Sequence, residues 1–284
     1  MICRDVKNPD DVSAVEAIRQ LYRLARPESP PPRKEHIQLW IRKGMVAIAL
    51  DDQGSSLVGM VRCLPISKTT YETMLRSSLD LRELLSPQNI LDNDQVVSNV
   101  LEGFGNFCTV GMISYDPNRN AENYGLIAAD MFRRLRNEFY RIRFRALVCR
   151  PHSGFAEKSV EDVGCSRASE VPGRSSRVWY FDEVCARERF SQLAETYADM
   201  WLAKPQLHLT RCQRQVLVAL ALGFTTKTGA AKLEITGKTF YTHVAKILAK
   251  ARRHKDLFPR GTEVTRDLLL AYCQSNPIEL MVPF

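Results

Sequence analysis

The stretch from 209 to 250 constrains the fold of this 284-residue chain more than any other. Apolar residues recur at helical spacing between 216 and 220. Gly223 then ends that helix, because glycine accepts the left-handed conformation at a helix terminus. Thr236 occupies a cap position, after which a further helix begins. The stretch therefore predicts three short helices joined by two tight corners.

The last of these helices is expected to have two different faces. The apolar face carries Phe240, Val244, Ile247 and Leu248. The opposite face carries Lys238, Tyr241, Thr242, Ala245 and Lys246. A helix that is held by a neighbour and leaves a polar, basic face free has the form of a recognition helix in a DNA major groove.

Positive charge is concentrated on the same part of the chain. Residues 201–260 contain twelve Lys or Arg and two Asp or Glu, whereas residues 1–200 contain 27 of each kind. The formal net charge of +8 therefore comes from the segment that contains these helices. Localised positive charge is typical of phosphate binding with release of counterions.

The same stretch resembles the LuxR/GerE-type helix-turn-helix without a gap. The matching positions are Leu209, Thr210, Val216, Leu217, Ala221, Gly223, Lys227, Ala230, Leu233, Thr236, Lys238, Thr239, His243, Ile247 and Lys250. The resemblance implies a dimer on double-stranded DNA. It implies base contacts from Tyr241, Thr242 and Ala245, and phosphate contacts from Lys227, Lys238, Thr239 and Lys246. The alternatives are an ordinary helical bundle that binds another protein or nothing, and an interaction module that sequesters another regulator.

The part of the chain before this stretch has a different pattern. Short apolar runs that read as strands alternate with helical periodicities across 1–182. The order is a strand, two helices, a hairpin, a strand, a helix, a strand, a helix and two strands. This order resembles the GNAT acetyltransferase fold, with an insertion at 65–105. The predicted fold class is therefore α+β: a GNAT-like mixed sheet flanked by helices, followed by an all-α domain of four helices.

The GNAT resemblance is carried further by the loop that follows Asp116-Pro117. In that family the loop reads R/Q-x-x-G-x-G/A and its backbone N–H groups hold the pyrophosphate of acyl-CoA. On that pattern Asn120, Asn123 and Gly125 are the candidate cofactor-binding residues. Only Gly125 keeps the family's residue, and Glu122 adds a negative charge that opposes phosphates.

A second departure concerns the family's tyrosine that protonates the leaving thiolate. In the register set by Gly164-Cys165 this position falls near Val160, which has no proton to give. The resemblance therefore implies the fold without the active site, so the expectation is no catalytic residue, no enzyme and no cofactor. An unidentified small ligand or an acyl-CoA-like molecule remains an option. An autoinducer-binding domain of LuxR-type regulators is an alternative for this region.

The remaining features of the sequence concern the division into domains and the state of the cysteines. The expected domains are a sensor domain at 1–182, a linker helix at 183–206 and the helix-turn-helix domain at 207–284. The apolar stripe of the linker helix packs on its own domain or forms a dimer seam. The eight cysteines contain no C-x-x-C pair and are expected to be reduced, mostly buried thiols, and no metal site is indicated.

These observations led to one functional hypothesis and one alternative. No apolar run is long enough for a membrane span, and the N-terminus lacks an apolar signal core, so a cytoplasmic protein without a membrane partner is expected. The hypothesis is a transcriptional regulator, similar to quorum-sensing regulators, whose first domain senses a small effector or a partner. The alternative is an acyl-CoA-dependent N-acyltransferase with a nucleic-acid-binding domain.

Overall fold

The computed structural model describes residues 2–51, 54, 57–76, 86–114, 121–151, 154–168, 178–188, 191–259 and 262–282. The chain divides into two compact units. The first consists of Met1–Val96 and Asn106–Ala194, and the second of Val97–Gly105 and Glu195–Phe284. The predicted boundaries at 182 and 207 differ from these.

The first unit is built on a mixed sheet of seven strands in the order β1-β2-β3-β4-β5-β7-β6. The strands are β1 Ile2–Asp5, β2 Met45–Leu50, β3 Leu57–Ile66, β4 Asn106–Ser114, β5 Phe144–Cys149, β6 Ser166–Arg167 and β7 Trp179–Phe181. The β4–β5 pair is parallel and the other neighbours are antiparallel. The predicted strands are thus confirmed within the described residues.

The α-helices among the described residues follow in chain order. They are α1 Val12–Ala25, α2 Lys34–Lys43, α3 Lys68–Arg76, α4 Asn93–Glu102, α5 Ala121–Ile142, α6 Gly154–Asp162, α7 Glu183–Glu188, α8 Gln192–Tyr197, α9 Arg211–Ala221, α10 Thr226–Lys232, α11 Gly237–Ala251 and α12 Arg266–Ser275. None of the helices in the described part is long and apolar enough to cross a membrane.

One face of the sheet is covered by α1 and α2. The Asp11 side chain begins α1 by accepting a hydrogen bond from the Ala14 N–H at 3.0 Å. The apolar stripe of α1, including the fully buried Ile18, then packs with Ile37 and Trp40 of α2 against β2, β3 and β4. This amphipathic spacing explains why both helices lie on the sheet.

The other face of the sheet contains a separate aromatic cluster. Phe139 of α5 lies 4.5 Å, centroid to centroid, from Phe144 of β5. The fully buried Asn106 fixes the start of β4, because its side-chain amide donates to the carbonyls of Val96 and Ile142 at 3.2 and 2.6 Å. These contacts hold in place the parts of β4 and β5 that pair in parallel, residues 106–109 and 144–148.

The second unit contains α9 to α12 around one apolar core. Threonine side chains begin all four helices by accepting a backbone N–H, namely Thr210, Thr225, Thr236 and Thr265. Leucine, valine and phenylalanine side chains of α9 and α11 fill the core, with Phe240 fully buried. The predicted helix boundaries in this stretch are therefore found in the structure.

Two predicted elements differ from the structure. The linker helix expected at 183–206 is divided into α7, α8 and a single π turn at Ala198–Leu202. Ser191 begins a new helix, since its hydroxyl accepts from the Ala194 N–H at 3.2 Å. The helix after the Asp116-Pro117 loop begins at Ala121, so it includes the predicted loop residues Asn123 and Gly125.

Candidate active site

The candidate site lies where two parallel strands separate. Strands β4 and β5 are paired from Asn106↔Phe144 up to Thr109↔Val148, and among the described residues no further pair joins them. Beyond this point β4 continues to Ser114 as a partner of β3 alone. The backbone edge of β4 that faces β5 is therefore open from residue 110 onwards.

A cavity of about 170 Å³ occupies this opening. Its described lining is Tyr22, Arg26, Arg62, Val110, Gly111, Met112, Phe132, Leu135, Phe139, Leu147, Cys149, Arg150, Pro151, Val160, Val163, Cys165 and Leu193. A volume of this size admits a group about as large as benzene, so it suits the reacting ends of larger molecules. We call this cavity the strand cleft.

The strand cleft passes through the plane of the sheet. Side chains alternate between the two faces along a strand. Ile113 packs in the core under α1 and α2, so Val110 and Met112 point to the opposite face. There the cleft is lined by apolar side chains of α5 and of the segment around α6, such as Phe132 and Val163.

The face beneath α1 and α2 has a different character. The side chain of Arg62 points to the same face of β3 as those of Met60 and Leu64, which lie in the core on that face. Its guanidinium carbon lies 4.3 Å from the centre of the Trp40 ring, and the residue is only 4% exposed. Nε and Nη1 of this guanidinium are buried without a hydrogen-bond partner.

Burial also affects the charge of this arginine. Removal from water lowers the pKa of Arg62, and the hydroxyl of Tyr22 acts in the opposite direction. Gly111 lies directly opposite Arg62 on β4. A Cβ atom at Gly111 would lie 2.8 Å from Arg62 Nε, so the glycine leaves the space that the guanidinium occupies.

Two further arginines line the strand cleft. Arg26 stacks over the ring of Tyr22 at 5.7 Å, and Nη2 of Arg150 donates to the Met74 carbonyl at 3.3 Å. The described lining contains three arginines and no Asp or Glu. The strand cleft therefore has a cationic end on one face of the sheet and an apolar end on the other.

The structure describes two of the three predicted cofactor-binding residues. Asn120 lies outside the described residues. Asn123 and Gly125 belong to the first turns of α5 rather than to a loop, so the expected loop does not extend to them. The predicted position of the thiolate acid, Val160, does line the strand cleft and is apolar there.

Arg62 was not predicted from the sequence as a site residue. The signal was a single charged residue inside the otherwise apolar run of β3, LVGMVRCLPI. Such a residue in a strand that is buried on both faces requires a partner or a ligand. In the described part of the chain, no group of three or more His, Cys, Asp or Glu is arranged to hold a metal ion.

The residues predicted to contact DNA lie on the surface of the second unit. Lys227 lies on α10, and the other six lie on α11: Lys238, Thr239, Tyr241, Thr242, Ala245 and Lys246. All seven are exposed, and Tyr241 is 69% exposed. The hydroxyl of Thr242 donates to the carbonyl of Lys238 within the helix at 2.9 Å.

The comparisons with known proteins found matches among solved structures and none by sequence. No family model and no curated protein matches the sequence. An N-acyl amino acid synthase from uncultured soil microbes matches with a TM-score of 0.43 and 8% identity, over 68% of this chain and 96% of that one. A GNAT superfamily phosphinothricin acetyltransferase from Sinorhizobium meliloti, in complex with AcCoA, matches with a TM-score of 0.39 and 12% identity, over 63% and 85%.

A third match is the ribosomal-protein-S18-alanine N-acetyltransferase from Escherichia coli, with a TM-score of 0.37 and 8% identity, over 63% of this chain and 91% of that one. The N-terminal region of the chain thus resembles GNAT acetyltransferases in structure. At these identities the resemblance concerns the fold, and no residue role is transferred by it.

The comparisons correct the functional hypothesis. The matched structures are N-acyl- and N-acetyltransferases, and nothing in the comparisons indicates a LuxR/GerE helix-turn-helix, DNA binding or transcription regulation. The prediction of a DNA-binding, quorum-sensing-like regulator is therefore wrong. The prediction that the chain is not an enzyme is contradicted by the same matches.

Proposed function

We propose that this protein is an acyl-CoA-dependent N-acyltransferase whose reaction takes place in the strand cleft. The observation that carries the proposal is the passage of this cavity through the sheet at the point where β4 and β5 separate. Transfer between two substrates requires that both reach one point without occupying the same space. A cavity lined by residues from both faces of a sheet meets that requirement.

The two ends of the cleft suit two different substrates. The end beneath α5 and α6 is lined by Phe132, Leu135 and Phe139, which favour an acyl chain and the apolar part of a thioester arm. The end beneath α1 and α2 is lined by Tyr22 and by arginines, and it suits a polar acceptor. The lining therefore fits an acyl donor on one side and an amine acceptor on the other.

The open edge of β4 supplies the groups that act on the thioester. When bound, acyl-CoA supplies an acyl group activated as a thioester. Backbone N–H groups of the 110–112 segment that face β5 have no strand partner, so they can donate to the thioester oxygen, where negative charge develops. Placing donor and acceptor together in a closed space removes much of the entropic barrier to their reaction.

The bonds and protons of the reaction balance without a further reagent. A C–N bond forms between the amine and the acyl carbon, the C–S bond breaks, and the proton released by the amine ends on the thiol. Tyr22 is the hydroxyl group in the described lining of the strand cleft, while Cys149 and Cys165 are its thiols. A thiolate is a good leaving group, because the pKa of a free thiol is about 8.5.

Incubation with acyl donors and amines tests the proposal. The purified full chain is mixed with acetyl-, octanoyl- or palmitoyl-CoA and with a panel of amines and amino acids, and products are identified by mass spectrometry. We expect an amide product together with free CoA, both increasing in proportion to protein concentration. Folded protein that forms no amide with any donor across the panel contradicts the proposal.

A further inference from the structure

We infer that the acceptor amine carries a carboxylate and that Arg62 binds it, an inference that rests on the proposed function. Arg62 combines three features of a ligand-binding arginine. It lines the strand cleft, it is 4% exposed, and two of its three guanidinium nitrogens have no hydrogen-bond partner. A buried cation with unused donors is unfavourable unless an anion completes its contacts.

The surroundings of Arg62 hold the guanidinium in place without neutralising it. Trp40 provides a ring at 4.3 Å, and Gly111 provides the space on β4. Neither residue is an acceptor for the charge, and the Tyr22 hydroxyl that contacts the guanidinium is a neutral group. The described lining offers no Asp or Glu as a permanent counterion. The partner is therefore an anion that arrives with a substrate.

A carboxylate fits this position better than a phosphate. With a thioester held at the opening of β4 and β5, the phosphates of CoA lie a whole pantetheine arm away from it. They cannot share a cavity of about 170 Å³ with the reacting group. A carboxylate is small, carries a single charge, and forms strong charge-assisted hydrogen bonds with arginine.

The faces of the sheet assign this carboxylate to the acceptor rather than to the acyl group. Arg62 lies beneath α1 and α2, packed against Trp40. The apolar end, which suits the acyl chain, lies on the opposite face with Phe132, Leu135 and Phe139. A carboxylate close to the reacting amine on the Arg62 side describes an amino acid or a closely related amino carboxylate.

Matched pairs of acceptors test this inference. Phenylalanine is compared with phenethylamine, and tyrosine with tyramine, using one acyl-CoA and measuring kcat/KM for amide formation. The natural chain is expected to favour the carboxylate-bearing member of each pair by on the order of 100-fold or more. Arg62→Met is expected to bring this ratio close to one, mainly through KM for the amino acid.

Two further variants separate the role of Arg62 from damage to the fold. Gly111→Ala keeps the charge but displaces the guanidinium, because its Cβ would lie 2.8 Å from Nε, so it is expected to lower the ratio as well. Arg145→Met is the matched control, since Arg145 lies on β5 outside the described lining of the cleft and pairs with Glu183 at 3.3 Å. It is expected to keep the ratio of the natural chain.

The outcomes distinguish this inference from the proposed function. Equal rates with both members of each pair overturn the role of Arg62 while acyl transfer stands. Amide formation from neither member, with any donor, overturns the proposed function itself. A preference for succinyl-CoA over butyryl-CoA that Arg62→Met removes assigns the carboxylate to the acyl group, and it also overturns the inference.

Discussion

Cys149→Phe is expected to reduce acyl transfer by about 100-fold or more, since misplacement of reacting groups by about 1 Å already costs that much. Cys149 ends β5 beside the opening and lines the strand cleft. The larger phenyl ring takes up a substantial part of a cavity of about 170 Å³. Substrates then no longer meet at the open edge of β4. The measurement is kcat/KM for amide formation with the best donor and acceptor.

The same position supplies the control for this variant. Cys149→Ala leaves the cleft open, and it is expected to retain transfer within a few-fold of the natural chain. Overpacking commonly costs about 1–3 kcal/mol, so the thermal unfolding of both variants is measured alongside activity. A folded Cys149→Phe protein with undiminished transfer contradicts the assignment of the reaction to the strand cleft.

The second large effect concerns stability. Glu279→Ala is expected to lower the free energy of unfolding of the second unit by about 3–5 kcal/mol, the range for removing one partner of a buried ion pair. Glu279 is 0% exposed and its carboxylate lies 3.5 Å from Arg214, which is 3% exposed. It also accepts backbone N–H groups of Gln206 and Leu207. The variant removes the acceptor of both backbone N–H groups and the counter-charge of Arg214, which keeps only its hydrogen bonds to the backbone carbonyls of Leu207 and residue 279.

The burial of this cluster shifts the pKa values of two neighbouring groups. Burial lowers the pKa of Arg214, and Glu279 opposes that effect. Burial and then the negative charge of Glu279 raise the pKa of Tyr272 to about 12. Both directions follow from a charge pair that is shielded from water.

Glu263→Ala is the matched control for Glu279→Ala. Glu263 pairs with Arg252 at 3.2 Å, but it is exposed, and exposed pairs contribute little to stability. Chemical denaturation followed by circular dichroism measures both variants. Equal stability of the two variants contradicts the role assigned to the buried pair.

The sequence predicted the elements of the chain better than its site. Strands such as MVAIAL of β2 are runs of apolar residues bounded by turn signals, so the pattern alone locates them. The predicted cap Thr236 likewise marks a helix start through a local hydrogen bond. These features depend on neighbours in the chain, and they are therefore readable without tertiary structure.

The site depends on contacts between distant residues. Arg62, Trp40 and Gly111 come together only when β3 pairs with β4 and α2 packs on the sheet. No spacing in the sequence predicts that these three residues come together. The prediction of Asn123 and Gly125 as cofactor-binding residues rests on a local loop pattern, and both residues belong to α5 in the structure.

The regulator hypothesis failed for a related reason. Helical spacing and positive charge on α10 and α11 are local features, and the structure does contain the helices with Lys238 and Tyr241 exposed. A short exposed basic helix carries no information about what binds it.

Hydrogen exchange at the open edge of β4 tests the central claim most directly. Backbone amides of 110–112 are followed in the full chain with and without a thioether analogue of an acyl-CoA. Those that face β5 lack a strand partner, so they are expected to exchange rapidly in the free protein and to be strongly protected when the analogue binds. Binding of the analogue with no added protection in this segment, and protection elsewhere in the chain, contradicts a reaction in the strand cleft.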